Sequence, residues 1–129
     1  MKIVALCTLS TGLHAIEYAI KLGISIDKII GLNPKNFQNK KSISGYIDIK
    51  NFCTKYKIDY AYVSKYSLKK NNPKKLFSNA DILWIAGWQR LIPENFISFP
   101  KICSIGAHGS LDGIRLGRGR SPQNWAILM

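Results

Sequence analysis

Two hydrophobic periods alternate along the chain: short continuous apolar runs, and longer stretches with apolar residues three and four apart. Ile3 to Cys7 is a nearly unbroken apolar run, the pattern of a strand buried on both faces. Thr8 to Gly12 is rich in small and hydroxyl residues and predicts a turn. From Leu13 a helix is expected, with Leu13, Ile16, Ala19, Ile20 and Gly23 on one stripe and the glycine as its stop. Ile26 to Leu32 reads as a second strand ended by Asn33-Pro34, and Lys35 to Ser44 is polar, patternless and loop-like. Ile47 to Tyr56 predicts a helix and Tyr60 to Val63 a third strand, after which Asn71-Asn-Pro73 opens a short helix through Phe77. Ile82 to Ala86 is the most apolar strand. Pro93 can start another helix, since its missing N–H costs nothing in a first turn. Ile102 to Ile105 is the fifth strand and leads to His108.

Strands alternating with helices predict an α/β fold, a Rossmann-like parallel sheet with helices on both faces joined by right-handed crossovers. The 129 residues allow one domain spanning 1–129 and leave no length for a second. The formal net charge of +12 adds a preference for anionic ligands, although the lysines stand in short scattered groups and a solvated surface explains them as well. Cys7, Cys53 and Cys103 show no metal-binding spacing, and Cys7 and Cys103 lie in runs expected to be buried strands. Unpaired thiols suit a reducing compartment. The apolar N-terminal run is too short for a signal peptide or a membrane span, so a cytoplasmic location is expected, with no membrane partner.

Three segments carry candidate chemistry. The turn Cys7-Thr-Leu-Ser-Thr-Gly12 leads from a strand into a helix and offers Thr8, Ser10 and Gly12 to a polar substrate. It lacks the three spaced glycines of a dinucleotide fingerprint, and an ordinary connecting turn explains it equally. His14 reads as a surface or packing histidine. In Gly87-Trp-Gln-Arg-Leu-Ile92, Gly87 permits close backbone approach and Trp88 offers a flat apolar surface; the competing role for Trp88 is a plug between helix and sheet. Trp84 is expected in the core. His108 follows the fifth strand, where an imidazole can take a proton or donate to developing negative charge. Beyond it, Gly117-Arg-Gly-Arg120-Ser-Pro places Arg118 and Arg120 among glycines, a pattern suited to gripping phosphate or carboxylate. No metal site is expected.

At these residues the chain resembles the N-terminal catalytic domain of the 10-formyltetrahydrofolate-dependent formyltransferases. The likeness is carried by the Met1-Lys-Ile-Val start, by Ile85-Ala-Gly-Trp-Gln-Arg-Leu-Ile-Pro93, and by His108-Gly-Ser110 through Trp125. The Gly-Arg-Gly-Arg-Ser-Pro wording is most similar to the branch that modifies sugar nucleotides. The resemblance implies that 10-formyltetrahydrofolate is the co-substrate, and that Gly87, Trp88, Gln89, Arg90, Leu91 and Ile92 line its pterin pocket, largely through backbone groups. It implies His108 as the catalytic histidine and Ser110 as the polar residue shortly after it. A neutral amine on the substrate then attacks the formyl carbon, and His108 stabilises the oxyanion.

The chain departs from the family pattern in two ways. The family commonly has asparagine two positions before the histidine, and here that position is Gly106. The family also has an aspartate several tens of residues after the histidine, beyond Met129, and Asp112 is too close to His108 to replace it. The expectation is a truncated formyltransferase domain acting on the amino group of a nucleotide-linked amino sugar. The alternatives are an enzyme like methionyl-tRNA formyltransferase, with tRNA as partner, and a non-catalytic remnant of the fold. Either a missing C-terminal segment or a second copy in a homo-oligomer would complete such a domain.

Overall fold

The computed structural model describes residues 1–36 and 43–107. Among them the order is β1 (Ile3–Leu6), α1 (Ser10–Lys21), β2 (Lys28–Leu32), α2 (Lys50–Tyr56), β3 (Asp59–Val63), α3 (Pro73–Phe77), β4 (Ile82–Ile85), α4 (Glu94–Ile97) and β5 (Cys103–Gly106). The strands form one sheet in the order β3-β2-β1-β4-β5, and every pairing is parallel. The chain winds outward from β1 to β3, returns to the other side of β1, and winds outward again to β5. This is the doubly wound, Rossmann-like arrangement that the alternation predicted.

Pleating sends alternate residues of each strand to opposite faces, and each face has its own core. Ile3, Ala5, Cys7 and Ile29 pack with Leu13 and Ile16 of α1 and Cys53 of α2. Val4, Leu6, Ile30 and Leu83 pack with Phe77 of α3 and Phe96 of α4. Phe77 and Phe96 are fully buried and meet edge to face at 5.4 Å, each worth roughly 1.5–3 kcal/mol of burial. Helices therefore cover both faces. Trp84 is only half-buried, and Cys103 is exposed on β5, where a buried strand was expected. With β5 last in the strand order, Ile105 stays 49% exposed.

The expected turn from Thr8 to Gly12 is shorter than its composition suggests. The helix starts at Ser10, so Gly12 lies inside its first turn. Gly12 is tolerated there because α1 comes down directly on the end of β4. A Cβ at Gly12 would sit 1.9 Å from the Ala86 carbonyl oxygen and 2.8 Å from Cys7 Sγ. At the opposite edge of the sheet, carboxylates hold the strand beginnings together. Asp27 Oδ2 accepts from the Ile3 amide at 2.8 Å, Asp81 Oδ2 accepts from the Lys2 amide at 2.6 Å, and Asp59 is the first residue of β3.

Gly12→Ala is expected to lower the unfolding free energy by about 3 kcal/mol in a urea titration. Gly23→Ala, at a left-handed position (φ +92°) with open space around it, should cost about 1 kcal/mol. Burial pushes the Cys7 thiol up to about 11; burial, with Cys7 and Asp48 nearby, pushes Cys53 up to about 12. Both buried thiols stay protonated in the fold, so their contribution to stability is complete below their ordinary value of 9.0 and fades as pH rises through 11. In a thiol-reagent assay at pH 8, Cys103 should react quickly and the other two only at the rate of unfolding.

A candidate active site at the carboxyl edge of the sheet

The loops that follow β1, β3 and β4 meet at the carboxyl edge, around the β1–β4 switch in strand order where open α/β sheets bind ligands. Thr8 and Gly87 join two of them. The Thr8 amide donates to the Gly87 carbonyl at 3.0 Å, and the Thr8 hydroxyl donates to the same oxygen at 3.0 Å. Gly87 has φ +91°, a conformation that favours glycine, and a Cβ there would approach Leu9 Cβ to 3.2 Å.

Tyr66, from the loop after β3, crosses the switch and bonds to both loops. Its hydroxyl shares a hydrogen bond with Thr8 Oγ1 at 2.9 Å and accepts from the Gln89 amide at 2.7 Å. Its ring meets Trp88 edge-on at 5.0 Å and carries the Arg90 guanidinium at 5.0 Å on its face. Neither Thr8 nor Tyr66 is reachable as a substrate ligand: Thr8 is 0% and Tyr66 6% exposed. Sequence reasoning missed Tyr66 because nothing near it in the chain marks a tyrosine that fastens two distant loops.

The predicted residues divide accordingly. Thr8 and Gly12 are sealed inside the junction and serve packing and hydrogen bonding, which corrects their assignment to a substrate. Trp88 is buried in the core, so the plug role holds; its indole Nε1 has no hydrogen-bond partner among the described residues. Gln89, Arg90 and Leu91 are exposed and Ile92 is half-buried. Leu91, at 93% exposure, is the most open apolar side chain in the structure's described residues. The amides of Arg90, Leu91 and Ile92 donate to no acceptor among the described residues. Loop 87–92 thus presents backbone amides without acceptors among the described residues, with Leu91 exposed beside them.

His108, Ser110, Arg118 and Arg120 lie outside the described residues. The approach to His108 does not: β5 ends at Gly106, paired with Ile85 of β4. The strand leading to the histidine and the strand leading to Gly87 therefore end side by side. A Cβ at Gly106 would rest in ordinary contact, 3.7 Å from Ile85 Cβ.

Ser10 sits elsewhere, with His14, in an open cleft of about 440 Å³ between α1 and α2 that Glu17, Asp48, Asn51 and Phe52 also line. Tyr56 donates to Glu17 and Tyr62 to Asp48. The Tyr56 hydrogen bond holds the Glu17 carboxyl below its usual range, with Lys21 and Lys55 adding to it, whereas burial and the bond to Asp48 raise the Tyr62 hydroxyl well above its own. The sequence signal for this cleft was weak: His14 was visible, but the loop that brings Asp48 opposite it had no pattern. Among the described residues no cluster of His, Cys, Asp and Glu could hold a metal, and no helix is long and apolar enough to cross a membrane.

Tyr66→Phe removes the hydroxyl that ties the loops while keeping the ring under Arg90. It should cost about 1–3 kcal/mol and speed amide hydrogen exchange at Gln89, measured by NMR, with little change in the β1–β4 ladder. No protein-family model and no curated protein matches this chain, which leaves the edge loops themselves to speak for function.

Proposed function

We propose that the chain transfers a formyl group from 10-formyltetrahydrofolate to the amino group of a nucleotide-linked amino sugar, in a reducing, cytoplasmic setting. The observation that carries this is the pairing of Ile85 with Gly106, which ends the two motif-bearing strands beside each other. The three free thiols support the compartment.

When bound, 10-formyltetrahydrofolate supplies an activated formyl group whose oxygen gains negative charge as the amine attacks. The residues present suit it in part: Leu91 offers apolar surface, and the amides of Arg90 to Ile92 have no acceptor among the described residues, while Trp88, buried, takes the plug role of the two open to it. Tyr66 keeps loop 87–92 in place through Gln89 and Thr8. His108 is assigned the hydrogen bond to the developing oxyanion, and Arg118 and Arg120 the phosphates of the nucleotide. An acceptor on tRNA is the second enzymatic reading. Gly106, with no side chain to donate, favours a remnant that kept the fold and lost the chemistry.

Calorimetric titration with a folate analogue and, separately, with nucleotide-sugars should show both binding; no heat with the analogue at millimolar concentration would remove the cofactor assignment. His108→Ala should lower turnover by about 10²–10³-fold and leave folate affinity near wild type. An unchanged rate would show the wrong residue was chosen. Gly106→Asn, for which the strand end has room, should fold normally and raise turnover.

A further inference from the structure

We infer that the carboxyl edge on the α3 side of the sheet is a docking surface for a nucleic-acid phosphate backbone. This goes beyond the formyl-transfer proposal and does not depend on it. The sequence shows its lysines only as scattered short groups, and the fold gathers them.

Three loops contribute. Lys35 follows β2, and Lys65, Lys69 and Lys70 follow β3; all four are exposed. The loops are tied where Asn36 Nδ2 donates to the Ser64 carbonyl at 2.9 Å, which brings the Lys35 and Lys65 segments together. Arg90, from the loop after β4, joins them by lying over the Tyr66 ring at 5.0 Å, next in sequence to Lys65. Lys74 and Lys75, both exposed, extend the same run into the first turn of α3.

Among the described residues, every carboxylate but Glu94 is placed away from this surface. No Asp or Glu occurs between Asp59 and Asp81. Asp27, Asp59 and Asp81 stand at the beginnings of β2, β3 and β4, on the opposite edge, and Glu17 and Asp48 line the α1–α2 cleft on the other face. Glu94, at the start of α4, is the one carboxylate near Arg90 in sequence. The ion pairs among the described residues both involve Glu17, so none of these lysines is neutralised by one. Compact, hydrated ammonium groups on flexible stems suit a repeating phosphate chain without base readout. A nucleoside diphosphate shares the phosphate chemistry but offers too few charges to span three loops and a helix.

The test uses the full chain and a labelled oligouridine, followed by fluorescence anisotropy over a range of salt concentrations. One variant replaces Lys65, Lys69, Lys70, Lys74 and Lys75 with Gln. A control of equal net charge replaces Lys21, Lys28, Lys55, Lys57 and Lys101, which lie toward the opposite edge. The first variant should weaken binding by at least about tenfold and flatten the salt dependence, while the control stays within about threefold of wild type. Equal losses in both would reduce the effect to net charge and overturn the proposal. So would absence of binding at low salt, or displacement of the oligomer by an equal concentration of uridine diphosphate, which would identify a small phosphate ligand instead. No folate is present, so failure here leaves formyl transfer untouched, and failure of formyl transfer leaves this result standing.

Discussion

The contact between the ends of β1 and β4 governs what this protein can build at its carboxyl edge. The Thr8 amide and hydroxyl both converge on the Gly87 carbonyl, and Gly12 brings α1 flush against Ala86. Other doubly wound sheets can leave a crevice at this reversal in strand order. Here it is filled by backbone and a buried hydroxyl. What stays exposed at this edge is the outer side of loop 87–92 and the end of β5. Tyr66 completes the seal from the third loop, so the positions of three loops follow from two hydroxyls and one carbonyl.

Much of the architecture was legible because its signals are local. Continuous apolar runs marked strands covered on both sides, and the apolar stripe from Leu13 marked α1. Asn72 caps the next-to-last helix through the Lys74 amide, as the Asn71-Asn-Pro73 wording indicated. What failed were judgements that depend on distant partners. Thr8 and Gly12 have the composition of a ligand turn, and only the arrival of the Ala86–Gly87 segment turns them into packing residues. Trp88 reads equally as a stacking surface or a plug, and its burial in the core with Tyr66 edge-on against it makes it the plug. Cys103 sits in an apolar run yet is exposed, because a run cannot reveal that its strand comes last in the sheet.

The site was legible to a different degree. Loop 87–92 was singled out from a glycine and its neighbours, and the structure shows it exposed at Gln89, Arg90 and Leu91. The residues that position that loop were invisible, since Tyr66 lies in a lysine-rich stretch with no motif. The arrangement of charge was hidden for a related reason. The lysine groups are short in sequence, and their concentration at one edge arises only when β2 and β3 pair and Asn36 joins their loops.

The indole of Trp88 has a further consequence. Among the described residues its Nε1 has no acceptor, and a buried N–H left so costs about 1–3 kcal/mol. The same group is a chromophore in a nonpolar cage. Its emission should therefore report how Tyr66 and the core pack around it, giving the protein an intrinsic optical gauge of whether this edge is intact.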